Sequence, residues 1–263
     1  MTNSPSRLAL ARTLAQQAGQ LARSMRAEQE TGFVSVKGTQ DFVTLADQAV
    51  EAMLRDRILA EFPDDGFLGE EGGQVADGRF TWVVDPIDGT TNYLHGLPEW
   101  GVSIACVREA EIVFGVIALP DLDRIAWCAR GEGAFIDGQR MHLTRGTETD
   151  SRLAILGHSA RLDLQDHLDA IGGLLKAGYD YRRQGAACFG LLAVAAGWAD
   201  FYFEGHLNPW DAMAGILLVE EAGGTVHMND LAQFLTHGGS ILASGSPLPA
   251  EILAPLQPSH PDI

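Results

Sequence analysis

Residues 85–92, Asp-Pro-Ile-Asp-Gly-Thr-Thr-Asn, come directly after the apolar run Trp82-Val83-Val84, and the fold is read outward from them. The run predicts a strand with two carboxylates at its carboxyl end, followed by a glycine and two hydroxyls that open a helix. Pro86 fixes its own φ and drives Asp85 toward an extended conformation, so the segment is a rigid turn that aims both acids at one place. Two carboxylates this near each other repel. Divalent cations remove that repulsion, and carboxylates with a backbone carbonyl and waters suit Mg²⁺ or Mn²⁺ better than zinc. If Gly89-Thr90-Thr91-Asn92 opens a helix, its free N–H groups face an anion bound beside the metals. A lone Asp-Gly would be only a turn and a cap, which does not account for all eight residues.

Upstream, Leu8, Ala11, Ala18, Leu21 and Met25 follow helical steps, as do Val50, Met53, Leu54 and Ile58 before a stop at Phe62-Pro63. Between them, Thr31 to Asp41 reads as a hairpin or a mobile loop. Phe67-Leu68, Phe80 to Val84, Val102 to Val107, Ile112 to Leu119 and Ile125 to Ala129 predict strands, and Asp137-Gly138 a hairpin turn before Met141-His142-Leu143. These make one mainly antiparallel sheet backed by two N-terminal helices.

From Leu153 onward the elements alternate. Strands are expected at Leu153 to Leu156, Tyr179 to Arg182, Phe201 to Phe203, Thr225 to His227 and Ser240 to Ala243. Helices are expected at Leu164 to Lys176, Ala186 to Trp198 and Asp211 to Glu221. The change near Thr144-Arg145-Gly146-Thr147 divides an α+β half, residues 1–145, from an α/β half, residues 146–263. The Pro-rich tail from Pro247 carries a short helix and then frays.

Composition bounds the function. A chain of 263 residues with 46% apolar and 20% charged content is an ordinary globular protein. A formal charge of −17 argues against nucleic acid and anionic membranes as partners. It agrees with a small anionic substrate recruited by metal, although acidity for solubility explains most of it equally well. Cys106, Cys128 and Cys188 lie in apolar contexts without a C-x-x-C pair, which predicts buried reduced thiols and a cytoplasmic protein. No apolar stretch approaches a membrane span.

Other acids stand in informative settings. Glu70 and Glu71 lie between Phe67-Leu68-Gly69 and Gly72-Gly73, and Asp211 follows Trp210 at the head of an apolar helix. Taken singly, Asp211 reads as a helix cap, and Glu70 equally as cap or ligand. The eight histidines are scattered.

Trp82 to Asn92 resembles the W-x-x-D-P-[IL]-D-G-T-x-N signature of the inositol monophosphatase family, and Trp210 to Gly215 resembles its W-D-x-A-[AG]-G signature. Gly69-Glu70-Glu71 is similar to the family's G-E-E, and Asp41 to Asp47 to its D-x-V-T-x-x-D. The resemblance implies a layered αβαβα sandwich and a Mg²⁺-dependent, lithium-sensitive phosphatase holding two to three ions, with Mn²⁺ as a substitute. It implies one metal at Glu70, Asp85 and the Ile87 carbonyl, a second at Asp85, Asp88 and Asp211, and a third more loosely at Glu70. The attacking water would sit on the first, oriented by Asp47 and Thr90, with Glu70 nearby. Lys37 resembles the lysine of a mobile loop that closes over the site, and Glu71 stands behind the ligands.

The resemblance extends to the substrate. Asp88, Gly89 and Thr90 would meet the phosphate ester, and Gly185-Ala186-Ala187 resembles the family's G-[ST]-A loop, with Ala186 replacing the hydroxyl residue. Glu204, seven residues before Asp211, resembles the acid that reads ring hydroxyls, although by itself it reads equally as an exposed strand-end acid. Thr91-Asn92 resembles the branch acting on inositol phosphates, while Leu97-Pro98-Glu99-Trp100 departs from the common pattern. Arg182 and Arg183 meet substrate or partner carboxylates, or form a salt bridge that supports the fold. The expected activity is hydrolysis of myo-inositol monophosphate, or of related polyol or sugar phosphates, by a homodimer. The alternatives are a histidinol-phosphate phosphatase and a non-catalytic regulatory or RNA-associated protein.

Overall fold

The computed structural model describes residues 4–28, 34–38, 41–76, 78–109, 111–143, 151–253 and 256. Helix α1 (Ser4–Ala27) buries Leu8, Ala11, Leu14, Ala15, Ala18 and Ala22, a mostly alanine face that lets it lie close to a sheet. Strands β1 (Val34–Gly38) and β2 (Asp41–Thr44) pair antiparallel within and beside the segment expected as hairpin or loop, of which residues 31–33 and 39–40 lie outside the described residues. Helix α2 (Leu45–Glu61) starts at Thr44. The Thr44 hydroxyl accepts from the N–H groups of Ala46 and Asp47 at 3.0 and 3.2 Å, and the Asp47 carboxylate accepts the Thr44 N–H at 2.8 Å, a capping box. It ends at Phe62, because the residue before Pro63 is kept from helical geometry.

The next strands are β3 (Gly66–Gly69), β4 (Gly73–Ala76) and β5 (Phe80–Asp88), followed by helix α3 (Thr90–His95). Then come β6 (Gly101–Arg108), β7 (Glu111–Leu119), β8 (Arg124–Ala129), β9 (Gly133–Ile136) and β10 (Gln139–Met141). Their order is β10-β9-β8-β7-β6-β5-β3-β4, antiparallel apart from the parallel β3–β5 pair. Asp137 and Gly138 turn the β9–β10 hairpin with positive φ at both, as expected. The expected boundary segment, Thr144 to Thr147, lies outside the described residues.

The remaining elements are β11 (Leu153–Leu156), α4 (Leu164–Lys176), β12 (Asp180–Arg182), α5 (Ala187–Ala195), β13 (Phe201–Leu207), α6 (Pro209–Glu221), β14 (Thr225–His227), α7 (Leu231–His237), β15 (Gly239–Ser244) and α8 (Ala250–Leu253). The second sheet runs β12-β11-β13-β15-β14 and is mixed. Beyond α8, residues 254–255 and 257–263 of the expected frayed tail fall outside the description.

Three apolar clusters fill the gaps between layers: one under α1 and α2, one around α5 and α6 between the sheets, and one beneath α4 and α8. The order is therefore helix, sheet, helix, sheet, helix, the expected αβαβα sandwich. Helix α6 is buried along most of its length and meets β7 at Gly115, where a Cβ would stand 2.8 Å from the Ala214 backbone. The three cysteines are free and buried. No described helix is long and apolar enough to cross a membrane.

Some boundaries differ from expectation. Helix α5 stops at Ala195 rather than Trp198, since Gly197 adopts a left-handed φ of 72°. Strand β13 continues to Leu207 and β5 to Asp88, both beyond the apolar runs that predicted them. Strand β4 and helix α7 were not expected, being short and partly polar.

Candidate active site

The rigid turn expected after Val84 is instead a bulge inside β5. Asp85 pairs with Ser103 and Asp88 with Gly101, so three steps on β5 match two on β6. Residues three apart on a regular strand face opposite sides. The extra residue reverses that parity and brings Asp85 and Asp88 to the same cleft. The Ile87 N–H donates to Asp85 Oδ1 at 3.0 Å and steadies the bulge.

The cleft, about 230 Å³, opens between the two sheets. The first half of the chain contributes Glu70, Asp85, Ile87, Asp88, Gly89 and Thr90. The second contributes residues 155–158 after β11, the 183–187 loop, Tyr202 and Glu204 on β13, and Asn208 and Asp211 at the start of α6.

Asp88 is a cap, but not of the adjacent helix. Its carboxylate accepts the N–H groups of Ala187 at 3.2 Å and Cys188 at 2.5 Å, closing the N-terminus of α5. Ala186, at the cap position, has no hydroxyl to do so, and Asp88 takes that role across the cleft. Gly89 permits the close approach: its φ is 90°, and a Cβ there would lie 2.9 Å from the Ala186 Cβ. Asp211 also caps, accepting the Asn208 N–H at 2.8 Å while lining the cleft.

Thr90 and Asp47 lie side by side. Thr90 Oγ1 lies 3.4 Å from Asp47 Oδ1 and 3.1 Å from the Ile87 carbonyl, and Asp47 is buried behind it. Thr91 and Asn92 do not line the cleft. The Asn92 amide donates to the carbonyls of Glu99 and Gln184, each at 2.6 Å, and so ties α3 to the loop carrying Gly185. Arg182 points away to Asp180 at 2.8 Å, whereas Arg183 lines the cleft. The Lys37 backbone belongs to β1; its side chain lies outside the described residues.

Two supporting residues escaped sequence reasoning. Buried Glu51 accepts the N–H groups of Glu71 and Gly72, each at 2.7 Å, and fixes the turn that presents Glu70. An acid on the apolar face of α2, beside Val50 and Leu54, was the available signal. Tyr202 is buried and donates its hydroxyl to Glu204 Oε2.

Burial and crowding raise every acid resolved here. Asp85 is pushed well above the usual carboxylate range, first by burial and then by Glu70, Asp88, Asp211 and Asp47. Asp88 is raised by burial against the pull of its backbone donors. Asp211 keeps some surface open to the cleft, yet burial and then Asp88 push it up to about 8. Burial takes Asp47 to about 6 and Glu204 to about 7, the latter restrained by Tyr202. Arg183 is the only lysine or arginine among the described residues that lines the cleft.

Repelling, all-oxygen donors of this kind fit a hard divalent cation, which relieves the repulsion. Among the described residues no three side chains form a ready-made cage for one ion. Mg²⁺ does not require one, because it commonly keeps several waters and takes one or two carboxylates together with substrate phosphate.

The chain matches the profile of the inositol monophosphatase family over residues 5–261. It is 38% identical over 231 residues to an inositol-1-monophosphatase of Caulobacter vibrioides, covering 85% of this chain and 90% of that one. It is 38% identical over 199 residues to the Nus factor SuhB of Xylella fastidiosa, covering 75% and 72%. Its structure is similar to an IMPase from Thermotoga maritima with a TM-score of 0.82 at 28% identity, covering 95% of this chain and 96% of the other.

Proposed function

The chain belongs to the inositol monophosphatase family, phosphatases that depend on metal and generally on Mg²⁺, and from that premise we propose that it hydrolyses myo-inositol monophosphate to inositol and phosphate. The observation that supports this reading is the convergence of Glu70, Asp85, Asp88 and Asp211 on one cleft, with Thr90 and Asp47 beside them. In this reading Glu70, Asp85 and the Ile87 carbonyl would hold one ion, Asp85, Asp88 and Asp211 would hold a second, and Glu70 would hold a third. Mg²⁺, or Mn²⁺ in its place, would supply charge for the phosphate oxygens and lower the pKa of an attacking water.

The chain's own groups do the rest. Thr90 presents its hydroxyl between Asp47 and Ile87, where it can orient a water, and Asp47, raised to about 6, can take up a proton near neutral pH. Asp88 locks the Gly185-Ala186-Ala187 loop against the reacting phosphate by capping α5. Glu204 accepts a hydroxyl of the alcohol. A homodimer with a small-molecule phosphate ester as its substrate belongs to the same reading, as does the division of the chain near residue 145.

The test is kcat/KM with Mg²⁺ over a panel of phosphate monoesters, with myo-inositol 1-phosphate expected to lead and Li⁺ expected to inhibit. A much higher value for histidinol phosphate would replace the substrate. The name of the Xylella relative favours a second reading, a regulatory binding protein on this fold. Failure to hydrolyse any phosphomonoester, together with tight binding of a macromolecule, would select it.

A further inference from the structure

Glu204 carries the alcohol in the reading above, and its carboxylate is held in place from two sides. Tyr202, two residues earlier on β13, faces the same side of the strand and donates its hydroxyl to Glu204 Oε2. The Tyr202 ring cannot retreat, because it packs on Gly190 of α5, where a Cβ would stand 2.5 Å from its Cδ2. On the other side Gly157 makes room, since a Cβ there would run into the Glu204 carboxylate. A bulge in β13 between Glu204 and Leu207 then turns the chain toward α6 and Asp211. Glu204 Oε1 has no hydrogen-bond partner among the described residues, and Glu204 lines the cleft.

We propose that Tyr202 is a positioning residue for substrate recognition: by occupying Oε2 it leaves Oε1 as a single, fixed acceptor for one hydroxyl of the substrate alcohol. Selectivity for hydroxyl-bearing esters then belongs to a Tyr–Glu unit built around Gly157 and Gly190. A loose Glu204 would lose rotamer entropy on binding and could turn either oxygen elsewhere. The inference rests on the assignment of Glu204 to the alcohol, and the experiment separates the two.

The ratio of kcat/KM for myo-inositol 1-phosphate to that for phenyl phosphate, whose alcohol offers no further hydroxyl, is measured with Mg²⁺. In Tyr202→Phe the ratio is expected to fall about tenfold, the scale of a lost hydrogen bond to a charged group, with the loss in KM for the inositol ester. In a Glu204→Gln background the same change should move the ratio no further. An unchanged ratio in Tyr202→Phe, whether both esters suffer equally or neither does, or additive losses in the double variant, overturns the positioning role alone. No preference for the inositol ester in the unaltered protein removes the assignment of Glu204 and the inference with it.

Discussion

The Asp88 carboxylate caps α5 through Ala187 and Cys188 while facing the same cleft as Asp85 and Asp211, so its replacement acts twice. Asparagine keeps one acceptor oxygen and sets an NH₂ group where the other accepted an N–H. Asp88→Asn is therefore expected to reduce turnover by roughly 100-fold, on the scale of losing a ligand or its support. The lost cap should cost about 1–2 kcal/mol of stability. Urea unfolding and single-substrate kinetics with Mg²⁺ measure the two effects, and substantial turnover in a well-folded variant would remove Asp88 from the metal set. At this scale Glu70, Asp85, Asp88, Thr90 and Asp211 were readable because each sits in a dense local motif. Glu51 and Tyr202 were not, because a supporting side chain is defined by the group it touches, and Glu51 touches backbone twenty residues away.

Elements place these groups through irregularities in β5 and β13. A regular β5 would send Asp85 and Asp88 to opposite faces, and the bulge corrects this. Gly89 then lets the chain leave β5 against the 185–187 loop. Gly89→Ala is expected to destabilise by about 2–3 kcal/mol, from a left-handed φ together with the Ala186 contact. Gly96 has φ 71° but no neighbour within 4 Å, so Gly96→Ala should cost only about 1 kcal/mol. Thermal melts compare them, and equal losses would mean that the close approach to Ala186 carries no energy. Apart from α7, the starts of the longer helices were readable to within a few residues from caps and periodicity. The extent of β5 and β13 was not, since a bulged strand breaks the alternation that marks a strand.

Across the whole molecule, acids whose protons are held tightly gather in the cleft and behind it: Glu204 at about 7 and Asp211 at about 8 line it, and Asp47 at about 6 is buried behind Thr90. A carboxyl raised on folding adds stability that is complete below its unfolded value, about 4, and is lost as pH rises through the folded value. With metal chelated, the melting temperature should therefore decline as pH climbs from about 4 to about 8 and level off above that. Mg²⁺ binds the ionised cluster, so it should raise the melting temperature more at pH 8 than at pH 5. Equal Mg²⁺ shifts at both pH values would show that Asp211 and the carboxylates beside it, Asp85 and Asp88, do not hold the ion. The sequence by itself determined the layered αβ architecture, the family and the acids of the 85–92 segment, because apolar periodicity and a dense motif are properties of neighbouring residues. Tertiary structure alone decided that Asp88 caps a helix a hundred residues away, that Asn92 holds a loop instead of facing the cleft, and that Arg183 enters it while Arg182 does not. Those outcomes depend on strand parity and on which backbone groups a helix end and the loops leave unpaired, and they are decided only once the layers have met.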